Sequence, residues 1–175
     1  MSLYSVKRQF QDLLRPLSDH LAQRGITANQ VTISAVIVSG TTAYIVAVHA
    51  RQNMYLWYTL PIGLFVRMGL NAIDGMIALE YKQASALGAV LNEAGDLVSD
   101  TMLLASLTPH LNKRTDQQLI DSNKTILNQI IALSISTEVV AIMSTLTTGL
   151  RANQGPLGKS DRAFVLGLVG IAVGS

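Results

Sequence analysis

From residue 3 to residue 23, Leu3, Val6, Phe10, Leu13, Leu14, Leu17 and Leu21 recur at helical spacing, with Lys7, Arg8, Asp12, Arg15 and Asp19 largely off that stripe. The pattern predicts an amphipathic helix over 3–23. It either lies in the membrane interface or packs on the protein's own cytoplasmic face. Gly25 stops it, and Thr27-Ala-Asn-Gln30 has the form of a capping box that starts the next helix. From there the chain alternates long apolar segments with short polar ones. Apolar spans are predicted at about 31–50, 54–79, 86–107, 125–150 and 163–175. Tyr55, Trp57 and Tyr58 form an aromatic belt at the start of the second span, and Pro61 is expected to kink it. Residues 108–124 read as a polar connection. The last segment is short for a span, so the chain is expected to stop inside its fifth membrane helix.

Composition agrees with this layout. Hydrophobic residues make up 49% of the 175-residue chain and charged residues 14%, against roughly 25% charged in soluble domains. The fold class expected is all-α: a polytopic membrane helix bundle forming one domain over 1–175. A net charge of +2, with no basic patch interleaved with aromatics, excludes nucleic acid as a partner. Cysteine is absent, which removes disulfide frameworks and thiolate metal sites. With the N-terminus in the cytoplasm, Lys7, Arg8, Arg15, Arg24, Lys82, Arg151, Lys159 and Arg162 fall on that side. Arg51, Lys113, Arg114 and Lys124 fall on the other, so the positive-inside rule favours a cytoplasmic N-terminus.

The anomaly is Asn71–Asp100, where Asp74, Glu93, Asp96 and Asp100, with Asn71 and Asn92, interrupt two apolar segments. Ionisable groups in hydrocarbon are costly and face a cavity, a partner or an ion. Arg67, Asn71, Asp74 and Ala78 share one helical face, and Gly88, Asn92, Asp96 and Asp100 repeat every four residues on the next, with Glu93 at the edge. A short turn makes the two helices antiparallel neighbours whose stripes can meet. Four carboxylates exceed what Arg67 and Lys82 can neutralise. Hard oxygen ligands of this kind suit Mg²⁺, Mn²⁺ or Ca²⁺. The competing reading is that the acids pair with Arg67 and Lys82 and only hold helices together.

The run Asn71-x2-Asp74-Gly75-x2-Ala78-Leu79, eight residues, Gly88-x3-Asn92-x3-Asp96 resembles the signature of the CDP-alcohol phosphatidyltransferases. That signature reads Asp-x2-Asp-Gly-x2-Ala-Arg, eight residues, Gly-x3-Asp-x3-Asp. The Gly-Ile-Thr-Ala-Asn-Gln start of the first span and the span layout are similar too. The resemblance implies a six-helix fold, a homodimer, a bacterial inner-membrane location and a cytoplasm-facing site holding one or two Mg²⁺ or Mn²⁺ ions. The implied activity belongs to phospholipid biosynthesis. A phosphatidyl group moves from CDP-diacylglycerol to a small or phosphorylated alcohol, glycerol 3-phosphate being one candidate, and CMP is released. By the same resemblance Asn71, Asp74, Asn92 and Asp96 form the metal shell; Glu93 and Asp100, on the same stripe but outside the signature, are candidate further ligands. Asp96 acts as general base, and Asp74, Gly75, Ala78 and Gly88 line the nucleotide pocket. The departures are two amides for aspartates, at Asn71 and Asn92, and Leu79 for the arginine. An amide oxygen ligates a hard cation but brings no charge, so Glu93 and Asp100 restore it or the site holds one firm ion and a second that arrives with the pyrophosphate.

Arg67, one turn before Asn71, can take over part of the missing arginine's role. Arg151, Lys159 and Arg162 are expected to meet an acceptor or lipid phosphate, or to be plain cytoplasmic charge. Glu138 is either a pocket residue or a partner between helices. Gly158-Lys159-Ser160 is no P-loop, because position 153 is Asn153 and an apolar span follows. His20, His49 and His110 have no ligand or triad spacing and are expected at the surface. The alternative to the transferase is a catalytically inactive lipid- or nucleotide-binding membrane protein of the same fold. An ion transporter ranks last, since internal repeats and broken helices are not visible.

Overall fold

A computed structural model describes residues 3–50, 52–111, 117–148 and 159–174. In chain order they form α1 (Leu3–Gln23), α2 (Ala28–Tyr44), a π-helical stretch (Ile45–His49), a 3₁₀ turn (Met54–Tyr58), α3 (Thr59–Glu80), α4 (Ala86–Ala105), the single turn α5 (Thr108–Leu111), α6 (Gln117–Thr148) and α7 (Lys159–Gly174). No strand occurs among the described residues.

The local signals of the first third act as expected. Gly25 ends α1 at φ 79°, a conformation that costs glycine least. Thr27 Oγ1 accepts from the Gln30 N–H at 3.3 Å while Gln30 Oε1 accepts from the Thr27 N–H at 2.9 Å, a complete capping box. α1 packs on α3. Phe10 meets Phe65 edge-on, and Arg15 forks onto Glu80 with both contacts at 2.8 Å. Tyr81 donates to Asp19 at 3.0 Å. The Glu80 carboxylate pushes the Arg15 pKa up. Partial burial, and after it the Asp19 hydrogen bond, pushes the Tyr81 phenol up. α1 is thus docked on the protein, while Leu13 and Leu17 stay exposed on its outer side.

Several boundaries differ from the sequence reading. Pro61 falls in the first turn of α3, preceded by the 3₁₀ turn, so its missing N–H removes no helical hydrogen bond. Trp57 is buried against His110 instead of joining a belt, and His110 Nε2 lies 2.8 Å from the Val46 carbonyl in the π-helical stretch, so this histidine is no surface residue. The polar connection is largely helical, since α5 occupies its start and α6 begins at Gln117. α4 is long enough to span a bilayer but too rich in carboxylates to count as an apolar span. Three helical stretches do qualify among the described residues: Ala28–His49, Met54–Glu80 and Ile120–Ser144.

α2 is the central element, packing on both α3 and α4, with α6 outside α4 and α7 outside α3. Small residues permit the close approach. A Cβ on Gly63 would collide with Thr42, and one on Gly95 would lie 3.1 Å from Val36, the usual device where membrane helices meet. α3 and α4 make almost no backbone contact with each other. They were expected as antiparallel neighbours whose polar stripes can meet, and the stripes do meet, through side chains, while both helices pack on α2.

Two apolar clusters close the bundle. One gathers Val46, Trp57, Leu60, Leu64, Leu103 and Leu104. The other gathers Ala28, Val31, Ile73, Met76 and Ile77, with Leu14 and Leu21 of α1 against it. On α3, Arg67 and Asn71 lie between the two sets.

Candidate functional site: a buried polar layer

The polar layer draws on α2, α3 and α4. From α3, Arg67 is 7% exposed and Asp74 4%; from α4, Asp96 is 5%, Asp100 4% and Glu93 0% exposed. Arg67 spans the gap as a fork. Its Nη1 donates to Asp100 Oδ1 at 2.6 Å and its Nη2 to Asp96 Oδ1 at 2.8 Å. The two acceptors sit one turn apart on α4, so a planar guanidinium can reach both. Asn71 Nδ2 adds a third bond to this unit, to Asp96 Oδ1 at 3.1 Å.

Asp74 forms the second unit. Its Oδ2 accepts from Thr32 Oγ1 at 2.7 Å and from Asn92 Nδ2 at 2.9 Å. Thr32 was not among the residues singled out from the sequence. A hydroxyl in an apolar span has no distinguishing pattern, because such groups usually bond back to their own helix. Thr32 and Gly95 face each other where α2 and α4 touch, the Thr32 methyl lying 3.5 Å from a Cβ placed on Gly95.

The other expected site residues divide. Gly75 leaves open space beside Asp74, with nothing within 4 Å of a Cβ placed there. Gly88 is held closely by Asn29 and by Ser85, which caps α4. Ala78 rests on the second apolar cluster. Lys82 is exposed at φ 55°, in the turn after α3. Arg67 was expected at a substrate phosphate, and it is instead engaged by two carboxylates. Glu138 is buried on α6, the helix that packs on α4. Arg151 lies outside the described residues, as do the side chains of Lys159 and Arg162 at the start of α7.

Beside the layer a cleft of about 530 Å³ runs between α3 and α7. Leu64, Phe65, Met68 and Phe164 give it apolar walls, and Arg67, Asn71 and Asp96 form its polar end. A chamber of this kind suits an amphipathic molecule with its polar part at the layer.

The donor set can be tested against the divalent ions that the signature implies. Among the described residues no three His, Cys, Asp or Glu side chains converge as a ligand group. Asp96 and Asp100 already answer Arg67. Asp74, with the amides of Asn71 and Asn92 turned to present oxygen and clear space at Gly75, suits one hard cation. A second ion does not fit while Arg67 stands between the α4 carboxylates.

Fold and layer together define an all-helical integral membrane protein with a charged interior. Over 173 residues the chain is 40% identical to the inner membrane protein YnbA of Escherichia coli (strain K12), a match covering 99% of this chain and 81% of that protein. The chain belongs to the family of that protein, and it is an integral inner membrane protein. No protein-family profile and no solved structure matches it.

Proposed function

We propose that this chain is a multi-pass phosphatidyltransferase of six-helix type, with its N-terminus and polar layer toward the cytoplasm, acting as a homodimer on CDP-diacylglycerol and an alcohol. The observation that carries the reading is the polar layer of buried Arg67, Asp74 and Asp96 with half-buried Asn71 and Asn92, of which Arg67, Asn71 and Asp96 form the polar end of an apolar cleft. Asn71, Asp74, Asn92 and Asp96 carry the spacing of the CDP-alcohol signature, and the cleft suits a substrate with a charged head and lipid tails.

In the reaction the acceptor's hydroxyl oxygen bonds to the phosphorus that bears diacylglycerol. The pyrophosphate bond to the cytidylyl phosphate breaks, and CMP leaves with the bridging oxygen. The hydroxyl proton passes to Asp96, held in place by the Arg67 and Asn71 bonds on Oδ1. Thr32 and Asn92 orient Asp74 from two sides. The apolar walls keep water, a competing acceptor, away from the phosphorus. A divalent ion at Asp74, Mg²⁺ or Mn²⁺, would spread the charge of the pyrophosphate.

The Arg67 pairs also favour a second reading. A carboxylate tied by a guanidinium and an amide can serve as an interhelical lock, and the chain would then bind lipid or nucleotide without turnover. Purified protein in detergent, given labelled CDP-diacylglycerol, Mn²⁺ or Mg²⁺ and a panel of alcohols, separates the two. Metal-dependent CMP release that Asp96→Asn abolishes is expected. Binding of CDP-diacylglycerol with no CMP release from any acceptor supports the second reading instead.

A further inference from the structure

We infer that the Arg67 guanidinium stands where a second divalent ion would otherwise bind, making the layer a site for one ion and one arginine. The inference deepens the reading of the layer as a cation site and rests on it.

Charge is the first ground. Asp96 and Asp100 bring two negative charges and Arg67 one positive, so this unit sums to −1 before any ion is added. The amides at Asn71 and Asn92 leave that sum unchanged. A divalent ion added to this unit would leave it at +1 with the guanidinium beside the ion, a costly state in hydrocarbon. Geometry is the second ground. The guanidinium is about as buried as its partners and reaches both α4 carboxylates at 2.6 and 2.8 Å. An ion placed to use Asp96 and Asp100 together would have to displace it or sit against a like charge. The third ground is position. Asp100 lies one turn beyond the last aspartate of the signature, and Arg67 one turn before its first position. The pair therefore extends the motif by one matched charge at each end, on facing helices. An arginine is always charged and needs no recruitment from solution. The Arg67 side of the α3–α4 gap is thus bridged whether or not an ion is bound, which leaves the Asp74 side for the ion.

The test counts ions. Mn²⁺ binding to purified wild-type protein, to Arg67→Met and to Arg67→Met/Asp100→Asn is measured by electron paramagnetic resonance in detergent. Thermal unfolding is followed in parallel with and without Mn²⁺. Arg67→Met is expected to bind one more ion per chain than the wild type and to gain more thermal stability from Mn²⁺. The double variant, relieved of one carboxylate, is expected to fold and to return to the wild-type count. Two ions in the wild type, equal counts in wild type and Arg67→Met, or an Arg67→Met protein that Mn²⁺ cannot keep folded would overturn the inference. The count is independent of turnover, so a gain of one ion in a protein that releases no CMP leaves the inference standing and removes the transferase reading.

Discussion

Thr32→Val is the cleanest perturbation of the layer, because valine keeps the shape and deletes only the hydroxyl. Thr32 is 6% exposed and its Oγ1 lies 2.7 Å from Asp74 Oδ2, itself on a residue 4% exposed. Two magnitudes compete. Hydrogen bonds between membrane helices average about 0.6 kcal/mol and reach about 1.7, whereas bonds to charged groups contribute roughly 1.5–3 kcal/mol. A short bond to a carboxylate with both partners buried belongs where these ranges overlap, so the expected loss is about 1.5 kcal/mol, roughly a tenfold shift in the unfolding equilibrium. Asn92 still holds Asp74 from the α4 side, which keeps the loss from growing larger. The assay is a double-mutant cycle of Thr32→Val with Asp74→Asn, read by equilibrium unfolding in mixed detergent micelles. Coupling above about 1 kcal/mol is expected. Additivity within about 0.5 kcal/mol, the usual margin for independent sites, would refute the assigned contact.

Other outcomes follow from the same geometry. Gly63→Ala should destabilise by about 1–3 kcal/mol, because its Cβ collides with Thr42 where α2 and α3 touch. Gly75→Ala should fold at least as well as the wild type, its Cβ meeting nothing within 4 Å; if Gly75 lines the nucleotide pocket, CMP release should fall with no loss of thermal stability. Tyr81 donates its phenol proton to Asp19, and its pKa is raised in the folded protein. Its contribution should therefore be complete below the ordinary tyrosine value near 10 and vanish as pH rises through the higher folded value; absorbance titration should show that Tyr81→Phe removes a late-titrating phenol. His110→Ala should loosen the first apolar cluster, lowering thermal stability while Mn²⁺ binding stays unchanged, since its partners are Trp57 and the Val46 carbonyl.

Local chemistry made much of the fold legible. Gly25 and the Thr27–Gln30 box each act within a few residues, and the structure carries them as read, while the apolar runs at 31–50, 54–79 and 125–150 fall within or overlap stretches apolar enough to span. The missed features depend on packing between distant segments. Nothing within the 3₁₀ turn shows that Trp57 is buried, because its partner His110 arrives from beyond α4. The pattern of α3 and α4 indicated that their polar stripes meet, as they do at Arg67–Asp96, Asn71–Asp96 and Asp74–Asn92, and it hid that α2 packs against both helices. At the candidate site, Arg67 was visible as a neighbour of Asn71. Its double pairing was not, because it requires Asp96 and Asp100 to stand at guanidinium reach across a gap. Thr32 was invisible for the same reason, being one hydroxyl among several in an apolar span.

The central claim is a transfer reaction, and the lipid product tests it most directly. Protein reconstituted in vesicles containing CDP-diacylglycerol is incubated with Mn²⁺ and a mixture of alcohols, and lipids and nucleotides are quantified together by mass spectrometry. The account predicts one new phosphatidyl lipid formed in equal amount to CMP, with both absent for Asp96→Asn and for Asp74→Asn. CMP formed with no new lipid would indicate hydrolysis, and no CMP from a folded protein that still binds CDP-diacylglycerol would contradict the transferase account outright.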